Sequence, residues 1–73
     1  MIRELDTIAL TVDLPQFGLK AGDVGAVVMM HDTKGFEVEF VTLGGETVAV
    51  VSLLSEQVRE SNKREIANAR LVA

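Results

Sequence analysis

The 73-residue chain contains no cysteine, no tryptophan and no tyrosine, with one proline and one histidine. The missing thiols exclude disulfides, a thiolate metal centre and cysteine catalysis, and their absence suits a reducing compartment. No apolar run approaches the ~20 residues of a membrane-spanning helix. Met1-Ile2-Arg3-Glu4-Leu5-Asp6 carries charges where a secretory signal needs an apolar stretch. A soluble, cytoplasmic protein is the expectation. The only aromatic residues are Phe17, Phe36 and Phe40. They are too few to line a groove for proline-rich peptides or to stack successive bases. A domain this small buries only about 60% of the surface its unfolded chain exposes, so its stability margin is thin.

The charge is unevenly placed. Residues 1–57 hold three basic side chains against nine acidic ones, a net of −6, whereas residues 58–73 hold four basic against two acidic, a net of +2. Nucleic-acid binding draws its non-specific affinity from neutralised phosphates, which argues against that role for an acidic body. The same field favours solubility and attraction to a basic protein surface.

Residues 7–13 alternate strictly, with Ile8, Leu10 and Val12 on one face and Thr7, Ala9 and Thr11 on the other, the period of a half-buried strand. Pro15 stops that pairing and opens a loop of about ten residues, long for a hairpin. Lys20-Ala21-Gly22-Asp23 has the composition of a tight turn with a positive φ at the glycine. Val24–Met30 is apolar almost throughout and reads as a second strand covered on both faces or bent across a barrel. Gly25 inside it marks a bulge, a bend or a close approach. The next turn is expected at 31–35, with Gly35 at positive φ. Phe36-Glu37-Val38-Glu39-Phe40 forms a third strand with its glutamates facing water. Gly44-Gly45 is a hairpin turn, 46–53 a fourth strand, 54–57 a helical turn and Val58-Arg59 a fifth strand. The tail, 61–73, reads either as a short amphipathic helix capped by Ser61 or as an extended arm.

No catalytic constellation appears. His31 has no second histidine or cysteine to complete a metal site, and a surface turn accounts for it together with Asp32. Glu37 and Glu39 alternate on an exposed strand face, the opposite of the dry cleft a general acid needs. Ser52, Ser55 and Ser61 have no base placed to activate them, and GxSxG is absent. Gly18, Gly22 and Gly25 follow GxxxGxxG, which is neither a P-loop nor a dinucleotide fingerprint. No enzyme activity, cofactor or metal is expected. Met29 and Met30 read as core filler or edge contact.

Five short strands, a long first loop, two glycine hairpins and a helical turn before the last strand describe a mainly β chain. The predicted architecture is a small five-stranded SH3-like barrel over 1–60, with a C-terminal tail or short helix over 61–73. Periodicity leaves this as one option among small β folds. Glu4-Leu5-Asp6-Thr7, the proline after the first strand, residues 18–25, Glu37-Val38-Glu39-Phe40 and Gly45-Glu46-Thr47 resemble a bacterial group, the 4926 domain-of-unknown-function family. That resemblance implies the SH3-like barrel but no activity. It also implies the small accessory half of a two-gene pair, in some cases of toxin–antitoxin type. The glycine turn is similar, too, to that of ribosomal and transcription-factor barrels that contact RNA, although those tend to be basic.

The expected function is a non-enzymatic protein-interaction module whose partner is another protein, encoded alongside it, or a second copy joined at a strand edge. The alternative is an RNA-contacting barrel. Candidate contact residues are Phe17 and Leu19 in the long loop, which either plug an open barrel end or anchor a partner. Arg59 in the fifth strand and Lys63, Arg64 and Arg70 in the tail complete the set; the tail residues read as a solvated tail or as cations placed against acidic groups of another chain.

Overall fold

A computed structural model describes residues 2–31 and 35–72. Strands β1 (Thr7–Leu10), β2 (Val24–Met30), β3 (Gly35–Val41), β4 (Thr47–Leu54) and β5 (Val58–Glu60) form one antiparallel sheet in the order β4-β3-β2-β1-β5. The protein is mainly β, as the alternating runs predict. The sheet curls into a barrel-like form but stays open, because its edge strands β4 and β5 are linked through the 3-10 turn Ser55–Gln57 without pairing. A closed barrel is therefore not what forms.

The core sits on the concave side. Ile8 and Leu10 of β1, Val27 of β2, Phe36, Val38 and Phe40 of β3, Val51 and Leu53 of β4 and Val58 of β5 are buried together. Gly25 permits the curvature: a Cβ there would lie 2.6 Å from Val38 Cγ1 and 2.8 Å from Phe40 Cε2. Of the three expectations for this glycine, close approach is the one realised. The bulge falls two residues later, between Val27 and Met29.

Several boundaries differ from the periodic reading. β1 ends at Leu10, where Thr11 turns to donate its N–H to Gln57 O (2.9 Å) and its hydroxyl to Glu56 O (2.8 Å), leaving Val12 outside the sheet. Ala9 is buried on the convex side, so β1 is covered on both faces. β2 is not covered on both faces, since Val24, Val28, Met29 and Met30 are exposed. Gly35 is the first residue of β3, paired with Leu54, and is not a turn residue. The rest of that turn, Asp32 to Lys34, lies outside the described residues. The tail from Ser61 to Val72 forms no helix and only one short turn, at 63–64. Its composition supplies too few apolar contacts to overcome the cost of nucleating an isolated helix. Among the described residues no helix is long and apolar enough to cross a membrane.

Candidate interaction surfaces

The long first loop is built by Pro15, whose fixed φ starts the 3-10 turn Pro15–Phe17, closed by Gly18 at φ 71°. Leu14 and Leu19 exchange backbone hydrogen bonds across its neck, Leu14 N to Leu19 O (2.9 Å) and Leu19 N to Leu14 O (3.1 Å). This separates the two loop candidates. Leu19 is 3% exposed and part of the core, whereas Phe17 is 43% exposed. Leu19 packs into the core, and Phe17 is the exposed member of the pair.

The glycine turn is a fixed platform. Gly22 takes φ 93°, as a type II turn requires of its third residue, and Asp23 N bonds Lys20 O at 2.9 Å. The turn is pinned to the end of β1 by Gly22 N to Leu10 O (2.8 Å) and Leu10 N to Asp23 O (2.9 Å). The Asp23 carboxylate accepts the Lys20 N–H (2.8 Å), and Asp13 accepts that of Ala21 (2.8 Å).

Onto this platform the tail sets Arg70. Its Nε donates to Asp23 Oδ1 at 2.8 Å, one Nη2 hydrogen goes to Asp23 Oδ2, and another reaches the Gly18 carbonyl at 2.9 Å. A guanidinium fork of this kind is a directional, charge-assisted contact. The Arg70 fork is the main influence on Asp23 and holds its carboxyl below the usual range, against the partial burial that pushes it up. Arg59 is likewise committed. It makes a bidentate pair with Glu65, 2.9 and 2.6 Å, and with the Asn62 N–H this pulls the Glu65 carboxyl down to about 2. Two of the four candidate cations therefore meet acids of their own chain. Lys63 and Arg64 are exposed, with no ion pair among the described residues.

The convex face of β2, β3 and β4 is a second surface. Register places Met29, Glu37 and Ser52 in one row and Ala26, Glu39 and Val50 in the next. The β2 bulge makes this possible: without the extra residue Met29 would point to the core with Val27, whereas both Val28 and Met29 are exposed. Val41, Val50 and Leu54 add to an apolar rim around the two glutamates. Those glutamates are half-buried and hydrogen-bonded, contrary to the plain solvated face expected of them. Glu39 accepts the Thr47 hydroxyl at 2.7 Å. Glu37 Oε2 accepts both the Ser52 hydroxyl and, at 2.8 Å, His31 Nε2.

The His31, Glu37 and Ser52 grouping is invisible to local sequence because 21 residues and a hairpin separate its ends. Its order is wrong for nucleophilic catalysis, since the carboxylate stands between the hydroxyl and the imidazole. Ser52 first, and His31 second, hold the Glu37 carboxyl below its usual range, so it is an ionised acceptor and not a poised acid. Among the described residues no three His, Cys, Asp or Glu side chains gather around a metal-sized space.

Sequence reasoning missed Asp23 as a contact residue, reading it as turn chemistry alone. Its partner lies 47 positions away, and neither residue carries a local signal for the other. Residues 4–60 match the family model described as a domain of unknown function, DUF4926. No curated protein and no solved structure matches the chain.

Proposed function

The chain belongs to the DUF4926 family, and from that premise we propose that it is a non-enzymatic interaction module that binds another protein through the convex face of β2, β3 and β4. The observation that carries this reading is the composition of that face. Val28, Met29, Val41, Val50 and Leu54 stand between 43% and 54% exposed around the hydrogen-bonded carboxylates of Glu37 and Glu39. Contiguous exposed apolar surface on a small soluble domain marks a contact site. Two ionised acids inside it select a partner surface that presents a basic side chain among apolar ones. The net −6 of residues 1–57 attracts the same class of partner over longer range. A toxin or enzyme encoded alongside, with this chain as its antitoxin or accessory half, fits the requirement.

The test is native mass spectrometry of the tagged chain purified from its host, beside Val50→Asp. The expected result is a stoichiometric protein partner held by the wild type and released by Val50→Asp, with both chains fully folded at the assay temperature. A monodisperse chain without partner, or a partner kept by Val50→Asp, overturns the reading. RNA contact, suggested by the glycine turn and the tail cations, is weakened because Arg59 and Arg70 are already paired with carboxylates. A filter-binding titration showing tight RNA binding with a steep salt slope would restore it.

A further inference from the structure

We propose that the Asp23 carboxylate and the Gly18 carbonyl form a receptor for an arginine carried by an extended segment of another protein, and that the chain's own tail is its resident competitor. The proposal rests on the interaction-module reading; its anchor lies apart from the convex face, and the groove beside it shares Ala26 and Val41 with that face but not Val50.

The receptor is preorganised. The turn that carries Asp23 is tied to β1 by backbone hydrogen bonds, and the 3-10 turn before it ends on Gly18 at φ 71°, which leaves that carbonyl free to accept. Together they satisfy three guanidinium N–H groups, Arg70 Nε and both Nη2 hydrogens. A lysine ammonium cannot reproduce this fork. The pair is also the better shielded of the two tail ion pairs, with side chains 29% and 18% exposed against 50% and 37% for Arg59 and Glu65.

Beside the fork lies an open cavity of about 1100 Å³ between the barrel and the tail. Val24, Ala26, Phe40, Val41, Leu43 and Val48 line its barrel side. Residues 67–72 of the tail form its other wall without filling it. Ile66 and Leu71, the bulkiest apolar residues near Arg70, are each 95% exposed. Among the described residues, those from Ile66 to Val72 reach the barrel by hydrogen bonds only through the Arg70 side chain. The tail thus engages the charged anchor and leaves the apolar groove open, which makes it a weak internal ligand. A segment that sets its arginine on Asp23 and its neighbouring aliphatic side chains into the groove gains contacts that the tail forgoes, and displaces it. The acidic body supplies the complementary field for such a basic segment.

The probe is a synthetic peptide of residues 61–73, titrated into the full-length chain by fluorescence anisotropy. Arg70→Ala in the chain empties the anchor while keeping every other contact. That variant is expected to bind the peptide at least about tenfold more tightly than the wild type, whose own arginine competes. Binding is expected to fall by a similar factor, about tenfold, with Asp23→Asn added to the chain or with lysine replacing arginine in the peptide. The lysine peptide keeps the test decisive if Asp23→Asn disturbs the turn. No binding by Arg70→Ala at millimolar peptide, or equal affinity for the lysine peptide, overturns the proposal. A wild-type dimer that Arg70→Ala dissolves also overturns it, by assigning the receptor to a second copy. Val50→Asp leaves peptide binding unchanged, so failure here is distinct from failure of the convex-face reading.

Discussion

Gly25 lies directly under Val38 and Phe40, and the absence of a side chain there is a packing requirement. Gly25→Ala forces its new methyl against Val38 and Phe40, both fully buried and unable to yield. The expected cost is about 1–3 kcal/mol, read from the urea midpoint. Gly44→Ala is the control: its added methyl meets Thr42 Oγ1 at 3.7 Å, ordinary contact, and stability should stay within about 0.5 kcal/mol. Leu5 shows the opposite case, an exposed leucine held at φ 72° in the left-handed region. Asparagine tolerates that conformation better, so Leu5→Asn is expected to raise stability by up to about 1 kcal/mol in the same urea assay. Of these three positions, Gly25 was legible as special from its place inside an apolar run. The strain at Leu5 was not, because nothing in Glu4-Leu5-Asp6 signals a positive φ.

At the scale of the element, the loop before β2 and the tail after β5 meet at one ion pair. The loop holds itself together through buried Leu14 and Leu19, so Leu19→Ala should cost about 2–5 kcal/mol, while Phe17→Ala leaves the urea midpoint nearly unmoved. The tail depends on carboxylates. Glu65 titrates near 2 in the folded chain against an ordinary 4.5, so its contribution is complete above about pH 4.5 and is lost as the pH falls towards 2. Asp23 is displaced in the same direction from 3.8 and adds to the loss over the acidic part of that window. Acidification from pH 5.5 to 2 is therefore expected to release residues 61–72 before the barrel unfolds. Amide relaxation by NMR should show the tail gaining fast motion while β2 and β3 keep theirs unchanged. The strands themselves were readable from alternation or, for β2, from a near-continuous apolar run, and β2 is bounded at the same residues in sequence and structure. Where β1 stopped was not readable, because Val12 continues the period and only the hydrogen bonds of Thr11 to the carbonyls of Glu56 and Gln57 end it.

Across the whole molecule, two electrostatic effects oppose each other. Nine acidic side chains against three basic ones within residues 1–57 repel as the sheet curls, and salt screens that repulsion. The tail is held by partly exposed ion pairs, which salt weakens. Raising ionic strength from about 0.01 to 0.3 M, a range in which the Debye length falls from about 30 Å to below 8 Å, is expected to raise the thermal midpoint of the barrel while loosening the tail. Calorimetry and tail amide relaxation on the same samples check both signs. The open edge between β4 and β5 belongs to this scale too, because closure depends on how all five strands sum their twist, and no single stretch encodes it. Alternating apolar residues, turn glycines and one proline were enough to specify strands, their number and the acidic character of the body, since each acts over a few neighbours. The meeting of Arg70 with Asp23, of Ser52 and His31 on Glu37, and of a bulge that turns Met29 outward arose from folding alone, since each joins positions that become neighbours only when the sheet curls.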